Sequence, residues 1–242
     1  MSLSIRWRAV LAQGLNLLLP RRCLACYGDS GGDAAFCAGC AAELPYLQRA
    51  CQRCALPLPM AEPARLCGRC LRRPPPQCSA QAVFLYADPI DRLLARLKFS
   101  ADLAAGAGLA THLAERAKAI DATKFDRLLP LPLHPRRERE RGYNQVSELL
   151  RGCPPAWKRR LRADLLQRTA YRGPQSDLSA GQRRRNVRGT FAAAPSVAGQ
   201  RVLLVDDVIT TGSTMSEATR CLLAAGATEV HWLALARAPS RK

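Results

Sequence analysis

The stretch RVLLVDDVITTGSTM, residues 201–215, carries the strongest structural signal in this chain. Its apolar run, Val202 to Val205, predicts a buried central strand, and the Thr/Gly/Ser turn after the two acids predicts the start of a helix. A strand that turns directly into a helix is the repeating unit of α/β domains, in which helices cover a parallel sheet. The stretch therefore predicts an α/β domain with this strand in the middle of the sheet.

The residues that follow this strand suit a sugar that carries a phosphate. Asp206 and Asp207 would face sugar hydroxyls, and the backbone N–H groups of Thr210 to Thr214 would hold a phosphate at the helix start. Gly212 lets the backbone approach the ligand closely, and the Thr and Ser hydroxyls add donors. The alternative is an ordinary capped helix, which needs neither the paired acids nor four hydroxyls.

This segment resembles the phosphoribosyl pyrophosphate (PRPP) loop of the type I phosphoribosyltransferases, in which two acids precede T-T-G-[ST]-T. The resemblance implies a type I phosphoribosyltransferase-like fold, with a parallel sheet flanked by helices, and Mg²⁺ bound together with PRPP. It also implies that PRPP contacts these residues of the loop: Val205, Asp206, Asp207, Val208, Thr210, Thr211, Gly212, Ser213 and Thr214.

Eight of the 11 cysteines form four C-x-x-C pairs, which indicate metal binding. Each pair makes a tight turn that presents two thiolates, and two such turns complete a tetrahedral site for structural Zn²⁺. We expect two zinc ribbons in tandem, each built from neighbouring pairs; the alternative joins the first pair to the third. Disulfides, a redox pair or an iron–sulfur cluster fit this repeated spacing less well. The predicted ligands are Cys23, Cys26, Cys37, Cys40, Cys51, Cys54, Cys67 and Cys70.

Further motifs extend the resemblance over nearly all of residues 20–238. They are LARLKF at 94–99, PLPLHPRRERERGYNQ at 130–145 and PQSDLSAGQRRRNVRGTF at 174–191, in that order between the cysteine pairs and the PRPP loop. Together they resemble the ComF family of phosphoribosyltransferase-like proteins, which are linked to DNA uptake in natural competence. We expect three parts: an N-terminal helix at 1–20, a double zinc-ribbon module at 21–78 and a phosphoribosyltransferase-like domain at 79–242.

Hydrophobic spacing predicts alternating strands and helices in the last of these parts. The predicted strands are 81–87, 125–133, 202–205 and 229–236. The predicted helices are 90–99, 103–119, 142–150 and 214–225, the last of them closed by Gly226. In such a sheet the PRPP motif would lie at the carboxyl end of a strand, where open α/β sheets bind ligands.

The chemistry of PRPP requires a site that holds both ends of a breaking bond. Loss of pyrophosphate from ribose C1 develops positive charge on the ring and negative charge on the leaving group. We predict that Asp206 and Asp207 anchor the ribose hydroxyls and help to place Mg²⁺. Pyrophosphate is expected at the loop of residues 131–134, with Leu133 in the loop and Arg136 just beyond it.

The family resemblance adds residues from two further motifs. Arg183 and Arg188 match a mobile catalytic loop, which on closing would exclude water and bring cations onto the pyrophosphate. Asn144 and Gln145 match a block that we place near the substrate.

Two side chains have two candidate roles each. His134 either donates a proton to the leaving group or caps the local backbone between prolines. Lys98 either contacts an anionic part of the ligand or extends along the end of a helix to reach water.

The net charge of +18 indicates an anionic partner, unless it is only a solvated basic surface. Residues 136–188 hold fifteen Lys/Arg against five Asp/Glu, more cations than one PRPP needs, which favours a longer polyanion such as single-stranded DNA. No secretory signal is convincing, and no run reaches the roughly 18 apolar residues of a membrane span. We therefore expect a cytoplasmic protein with reduced cysteines and no stable membrane insertion.

Two functions fit these observations. The first is a phosphoribosyltransferase that binds PRPP with Mg²⁺ and transfers the ribosyl group to an unidentified nucleophile, with release of pyrophosphate. The second is a non-catalytic zinc-ribbon protein that binds single-stranded DNA, works with other competence proteins and keeps the PRPP pocket for regulation.

Overall fold

A computed structural model describes residues 22–31, 34–59, 65–169 and 189–239 of the chain. The chain forms two compact units, Met1–Leu44 and Pro45–Lys242. In the first unit a short helix, α1 (Ala38–Ala42), follows Cys37, which is the first cysteine of the second C-x-x-C pair. The helix expected within residues 1–20 lies outside the described residues.

The second unit has the alternating order of strands and helices that the sequence predicts. Its strands are β1 (Ser79–Leu85), β2 (Arg127–Pro130), β3 (Leu166–Arg168), β4 (Phe191–Ala193), β5 (Arg201–Ile209) and β6 (Glu229–Arg237). Its helices are α2 (Gly68–Arg72), α3 (Ile90–Phe99), α4 (Leu103–Lys118), α5 (Pro135–Arg141), α6 (Gln145–Leu150), α7 (Pro155–Lys158) and α8 (Ser213–Ala224). Single 3₁₀ turns occur at Ala122–Lys124 and Pro195–Val197.

Four of these strands form a parallel sheet in the order β1-β6-β5-β2. The two central strands are buried along almost their whole length, as expected for continuous aliphatic runs covered on both faces. Strand β5 continues through the two acids to Ile209, four residues beyond the predicted end, because Asp206 and Val208 keep the register with β6. The predicted parallel sheet flanked by helices is confirmed.

Helices α3 and α4 cover the sheet with apolar faces. The buried residues of α3 recur at helical spacing: Ile90, Leu93, Leu94 and Leu97. Asp102 begins α4 by accepting the N–H of Ala105 at 2.9 Å, and it also pairs with Arg96 at 2.6 Å. This double contact fixes the corner between the two helices, and therefore the position of the last turn of α3.

A two-stranded antiparallel pair, β3–β4, lies outside the main sheet and was not predicted. Each strand has three residues, too few to show an alternating pattern in the sequence. The pair is continued by a bond from Thr169 N–H to the Thr190 carbonyl at 2.9 Å. It therefore brings together the two ends of the basic segment that includes residues 170–188. Helix α5 was not predicted either, since no helix or strand was expected between the strand at 125–133 and the helix at 142–150.

The second set of cysteines is built into the same unit as the sheet. Ala80 of β1 donates its N–H to Gln52 at 2.9 Å, and the Gln77 side chain donates to the Arg53 carbonyl at 2.7 Å. Ala55, within the Cys51–Cys54 turn region, is completely buried in the core of the sheet domain. The second zinc ribbon therefore packs into the hydrophobic core of the sheet domain through Ala55, and it is not a separate module joined only by a linker.

Gly226 ends helix α8 in a conformation that only glycine adopts readily. Its φ is +95°, and an added Cβ would lie 3.0 Å from Ala198 Cβ and 3.3 Å from Ala198 Cα. We expect Gly226→Ala to lower the free energy of unfolding by about 1–3 kcal/mol, through backbone strain and this contact. Urea unfolding followed by circular dichroism measures the change.

Gly152→Ala is the matched control, since that position has ordinary φ and an added Cβ would meet only normal contacts. Equal stabilities for the two variants would show that the turn after α8 relaxes without cost.

Candidate functional site

The paired acids lie at the carboxyl end of central strand β5 and are both buried. Asp206 is 9% exposed and Asp207 is 4% exposed. The Asp206 carboxylate accepts the N–H of Asp207 at 2.8 Å. Burial raises the pKa of Asp206 well above its usual range, and repulsion from Asp207 adds to this effect. Two neighbouring carboxylates in a dry environment require nearby positive charge.

Lys98, in the last turn of α3, supplies the nearest of these charges. Its Nζ lies 2.8 Å from Asp207 Oδ2. Burial acts to lower the pKa of Lys98, but attraction to Asp207 outweighs it, and the pKa is raised overall. The structure pairs Lys98 with the acids rather than extending it toward water, and its predicted contact with an anionic part of the ligand stays a prediction.

Two arginines add to this positive environment. Arg168, at the end of β3, stacks over the Phe191 ring at 5.7 Å, and its buried Nε has no hydrogen-bond partner in the described part of the chain. Burial lowers the pKa of Arg168 and also that of Arg141, whereas attraction to Asp206 and Asp207, respectively, acts in the opposite direction. The acid pair therefore lies within the field of three cations.

The loop after β5 has the geometry of a phosphate cradle. Gly212 has a φ of +76°, and an added Cβ would lie 3.3 Å from the Trp232 ring. Trp232 is itself fixed, because its indole N–H donates to Thr219 Oγ1 at 2.8 Å. Thr211 and Ser213 share a hydroxyl contact of 2.8 Å at the start of α8. A rigid turn with a glycine and exposed donors at a helix start is a suitable anion site.

The predicted pyrophosphate loop, residues 131–134, follows β2 beside this cradle. Leu131 donates its N–H to the Val205 carbonyl at 2.7 Å, which ties the loop to β5. The buried Asn144 donates from its side-chain amide to the Leu131 carbonyl at 3.1 Å and accepts the N–H of Val146 at 2.8 Å. Asn144 thus holds the loop and caps α6 at the same time, so the structure gives it a positioning role near the site.

The other side chains predicted around this loop make local contacts. His134 caps α5, since its Nδ1 accepts the N–H of Arg136 at 3.1 Å, which is the capping role considered above. Arg136 pairs with Glu140 on the surface at 2.9 Å. Gln145 accepts a hydrogen bond from Arg141. Arg183 and Arg188 lie outside the described residues, and their predicted roles stay predictions.

A cavity of about 350 Å³ opens beside the loop and Arg168. Its lining includes Leu133, His134 and Gln167. The predicted pyrophosphate loop and Arg168, whose Nε has no hydrogen-bond partner in the described part of the chain, therefore border one open space.

The eight paired cysteines form two four-sulfur clusters of neighbouring pairs, as expected. In each cluster all ligand atoms lie within 4.8 Å of one another. The Cys26–Cys37 and Cys54–Cys67 sulfurs are 3.8 and 3.7 Å apart, which fits the separation of about 3.8 Å that tetrahedral Zn–S bonds impose. Neighbouring pairs therefore share a site, and the crossed arrangement is excluded.

The ionisation of the thiols also fits a metal. Burial opposes ionisation of Cys51, but backbone N–H donors, led by that of Cys67, bring its pKa down to about 7. In the other cluster, hydrogen bonding with Cys37 and Cys26 raises the pKa of Cys40 to about 12. Four adjacent thiols cannot all ionise without a cation, and structural Zn²⁺ supplies that charge.

The acid pair also has the donor set that a hard cation needs. Asp207 Oδ2 is buried, and its partner is the Lys98 ammonium, whose Nζ lies 2.8 Å away. Carboxylate oxygens at the edge of a sheet are ligands that Mg²⁺ accepts together with the oxygens of a bound phosphate. The residues therefore fit Mg²⁺ held jointly by this chain and its ligand.

The sequence did not predict a role for Arg141, which is attracted to Asp207, or for Arg237, which donates to the carbonyls of Ile209 and Thr210. Arg141 lies in the motif PLPLHPRRERERGYNQ, in which Asn144 and Gln145 were predicted as site residues, so its position in that motif was an available signal. Arg237 lies at the end of a predicted strand, and nothing in the sequence distinguishes it from a surface arginine.

Comparison with known proteins agrees with this architecture. The phosphoribosyl transferase domain family matches residues 158–242, and the double zinc ribbon domain family matches residues 14–71. The DNA utilization protein YhgH of Salmonella typhimurium is 35% identical over 212 residues, which cover 83% of this chain and 89% of that protein. Competence protein F of Haemophilus influenzae is 33% identical over 228 residues, which cover 90% and 97%.

A solved structure of the allosteric regulatory enzyme of purine biosynthesis matches 52% of this chain and 24% of that one, at 25% identity and a TM-score of 0.32. The two family matches show that the chain combines a double zinc ribbon with a phosphoribosyltransferase domain. It belongs to the ComF family, as the motifs and the relatives over most of its length agree. Among the described residues, no helix has both the length and the apolar character that crossing a membrane requires.

Removal of the Lys98 charge should destabilise the ligand-free protein. Lys98→Met leaves Asp207 buried beside Asp206 without its ion-pair partner, and we expect a loss of about 1–3 kcal/mol in the free energy of unfolding at neutral pH. Lys98→Met combined with Asp207→Asn should recover part of this loss, because the second change removes the unpaired charge. Urea unfolding measures all three stabilities.

Lys118→Met is the control, since it breaks an ion pair with Glu115 in which both side chains are at least 60% exposed. Such a pair contributes at most about 1 kcal/mol. If Lys98→Met is no worse than Lys118→Met, the acid pair does not depend on Lys98.

Proposed function

We propose that this protein binds PRPP together with Mg²⁺ and transfers the phosphoribosyl group to a nucleophile, with release of pyrophosphate. The observation that carries the proposal is the buried acid pair at the end of β5, followed at once by a glycine-containing loop at the start of α8. Carboxylates suit the ribose hydroxyls, and the helix start suits the 5-phosphate. The membership of the family and the match to the phosphoribosyl transferase domain support this assignment.

The reaction breaks one bond at ribose C1 and forms another. A lone pair of the nucleophile forms the new bond to C1, and the electron pair of the C1–O bond leaves with pyrophosphate. A nucleophile that carries a proton loses it to solvent or to a base. The chain must therefore hold the ribose still and receive the growing negative charge on the leaving oxygen.

Different residues of the site bind the ribose, the 5-phosphate and the pyrophosphate. Asp206 and Asp207 bind the ribose hydroxyls, and the N–H groups of the loop after β5 hold the 5-phosphate. The loop of residues 131–134 and Arg168 face the pyrophosphate. Mg²⁺, when bound, neutralises pyrophosphate oxygens and makes pyrophosphate a better leaving group.

Lys98 has a second part in this scheme, because it neutralises Asp207 before the ligand arrives. If the acid pair held Mg²⁺ together with the ligand, that cation would take over the neutralisation of Asp207, and Lys98 would then be able to contact a phosphate oxygen. Arg183 and Arg188, from the segment that β3 and β4 bracket, supply further cations to the leaving group.

The names of the relatives suggest the biological setting. Competence protein F and the DNA utilization protein are named for the handling of DNA, and we propose that this chain serves a similar process in the cytoplasm. Other proteins of that process are the expected partners.

Isothermal titration of zinc-loaded protein with PRPP, in the presence and absence of Mg²⁺, tests the pocket. We expect Mg²⁺-dependent binding that Asp206→Asn with Asp207→Asn weakens by at least about a hundredfold, since both ribose contacts and the metal ligands change. Binding of equal strength by the double variant would show that the acid pair is not the site.

Asp121→Asn is the control for this titration. Asp121 lines a separate cavity with Arg201 and Glu229, residues at the amino ends of β5 and β6, so its loss should leave PRPP affinity unchanged. Wild-type protein that binds PRPP should then be screened for pyrophosphate release with candidate nucleophiles.

A second function, binding of single-stranded DNA without turnover, is favoured by the charge distribution. Residues 136–188 contain fifteen Lys/Arg and five Asp/Glu. In the described part of this segment, Arg159 and Arg160 line a concave surface away from the acid pair, together with Arg127 and next to Asp126. A basic groove of this kind tracks a phosphate backbone without reading its sequence.

Fluorescence anisotropy with an oligothymidine of about 20 nucleotides tests this second function. Lys158 is exposed and directly precedes Arg159 in the chain. Lys158→Glu with Arg159→Glu should weaken binding and reduce the slope of log affinity against log salt by about 0.7 for each lost phosphate contact. Lys118→Glu is the control, since Lys118 is already paired with Glu115. Unchanged salt dependence in the double variant would remove this surface from consideration.

A further inference from the structure

Arg237, the last residue of β6, is a buried cation held by backbone carbonyls. Only 3% of the residue is exposed. Its Nε donates to the Cys54 carbonyl at 3.0 Å. Its Nη1 donates to the carbonyls of Ile209, Thr210 and Ala238 at 3.0, 2.5 and 2.6 Å. One guanidinium therefore joins the turn of the second cysteine cluster to the loop that follows β5.

The contacts with Ile209 and Thr210 set the direction of the next two amide groups. In a trans peptide the C=O of one residue and the N–H of the next point in opposite directions. Because the carbonyls of Ile209 and Thr210 point at Arg237, the N–H groups of Thr210 and Thr211 point away from it. These are the first two donors of the proposed phosphate cradle, so Arg237 orients them from behind.

The contact with Cys54 links Arg237 to the second cluster. Cys54 is one of its four sulfur residues, and its carbonyl accepts the Arg237 Nε hydrogen at 3.0 Å. A metal bound by the four sulfurs would hold this turn in place, so loss of the metal would release one side of the guanidinium.

We propose that Arg237 is a positioning residue that couples zinc occupancy of the Cys51–Cys70 cluster to phosphate binding by the loop of residues 210–214. The proposal rests on the proposed function, because the ligand is the phosphate of PRPP. Coupling of this kind is reciprocal: zinc in the second cluster strengthens PRPP binding, and bound PRPP slows the loss of that zinc. The zinc ribbon then does more than stabilise the fold, since its occupancy sets the affinity of the site.

The variant Arg237→Lys tests the coupling while keeping the buried charge. A lysine has one nitrogen and cannot reach carbonyls on both sides, so the link between the turn and the loop is cut. We expect Arg237→Lys to contain two Zn²⁺ per chain and to bind Mg²⁺–PRPP about tenfold or more weakly, which corresponds to the loss of one or two hydrogen bonds that orient the donors. Affinity at the wild-type level would overturn the proposal.

Zinc release to a chromogenic chelator provides a readout that needs no turnover. In the wild type, PRPP with Mg²⁺ should slow the release of one of the two zinc ions and leave the other unchanged, so the Cys23–Cys40 cluster is an internal control. In Arg237→Lys the ligand should no longer slow either release. Equal protection by PRPP in both proteins would contradict the coupling.

Hydrogen exchange of the loop amides separates this proposal from the proposed function. Even without any ligand, Thr210 and Thr211 should exchange faster in zinc-loaded Arg237→Lys than in the wild type. If the wild type binds no PRPP but this difference is present, the proposed function fails and the mechanical link stands. If exchange is the same in both proteins, the link itself is wrong.

Arg201→Lys is the matched control for all three measurements. Arg201 is the first residue of β5, at the opposite end of the sheet, and it pairs with Asp126 at 3.0 Å. Its replacement should change neither PRPP affinity, zinc release nor exchange of the loop amides.

Discussion

The burial of two adjacent carboxylates at the end of β5 is the constraint around which the rest of the second unit is arranged. Asp206 and Asp207 are both buried, and burial together with repulsion from Asp207 raises the pKa of Asp206, so nearby positive charge is needed to keep it ionised. Lys98 meets this need through an ion pair, and the corner between α3 and α4 fixes the turn that carries Lys98. A fold that only needed to be stable would place an apolar pair here, and this supports the proposed role of the acids in ligand binding.

The backbone of the candidate site is held in place by side chains that contact its carbonyl groups and its glycine. Asn144 holds the carbonyl of Leu131, Trp232 lies under Gly212, and Arg237 holds the carbonyls of Ile209 and Thr210. None of these side chains needs to touch a ligand to control binding. A site built mostly from backbone N–H groups depends on such supports, since a backbone donor can be aimed only by fixing its neighbouring carbonyl.

The sequence predicted the parts of this structure whose chemistry shows in local spacing. The acids and the glycine turn lie in one continuous stretch, the cysteines repeat as C-x-x-C, and α3 shows an apolar face, so each was visible without three-dimensional information. Strands β3 and β4 were not, because three residues carry no period. Arg237 was not, because its partner Cys54 is 183 residues away and the contacts are to carbonyls, which every residue has. The burial of Ala55 in the sheet core was hidden for the same reason, so the sequence did not show that the second ribbon is part of the domain.

The order of the strands has a consequence for how the chain matures during synthesis. Strand β6 lies between β1 and β5, yet it is the last of the four to leave the ribosome. Before β6 is synthesised, β1 has no partner strand. The edge of β5 that later pairs with β6 is also unpaired, although β5 can already pair with β2. Exposed strand edges of this kind invite association with other chains, and contacts between distant residues form slowly. The nascent protein therefore carries the metal-binding turns of the second cluster for most of its synthesis before the strand that contacts them exists.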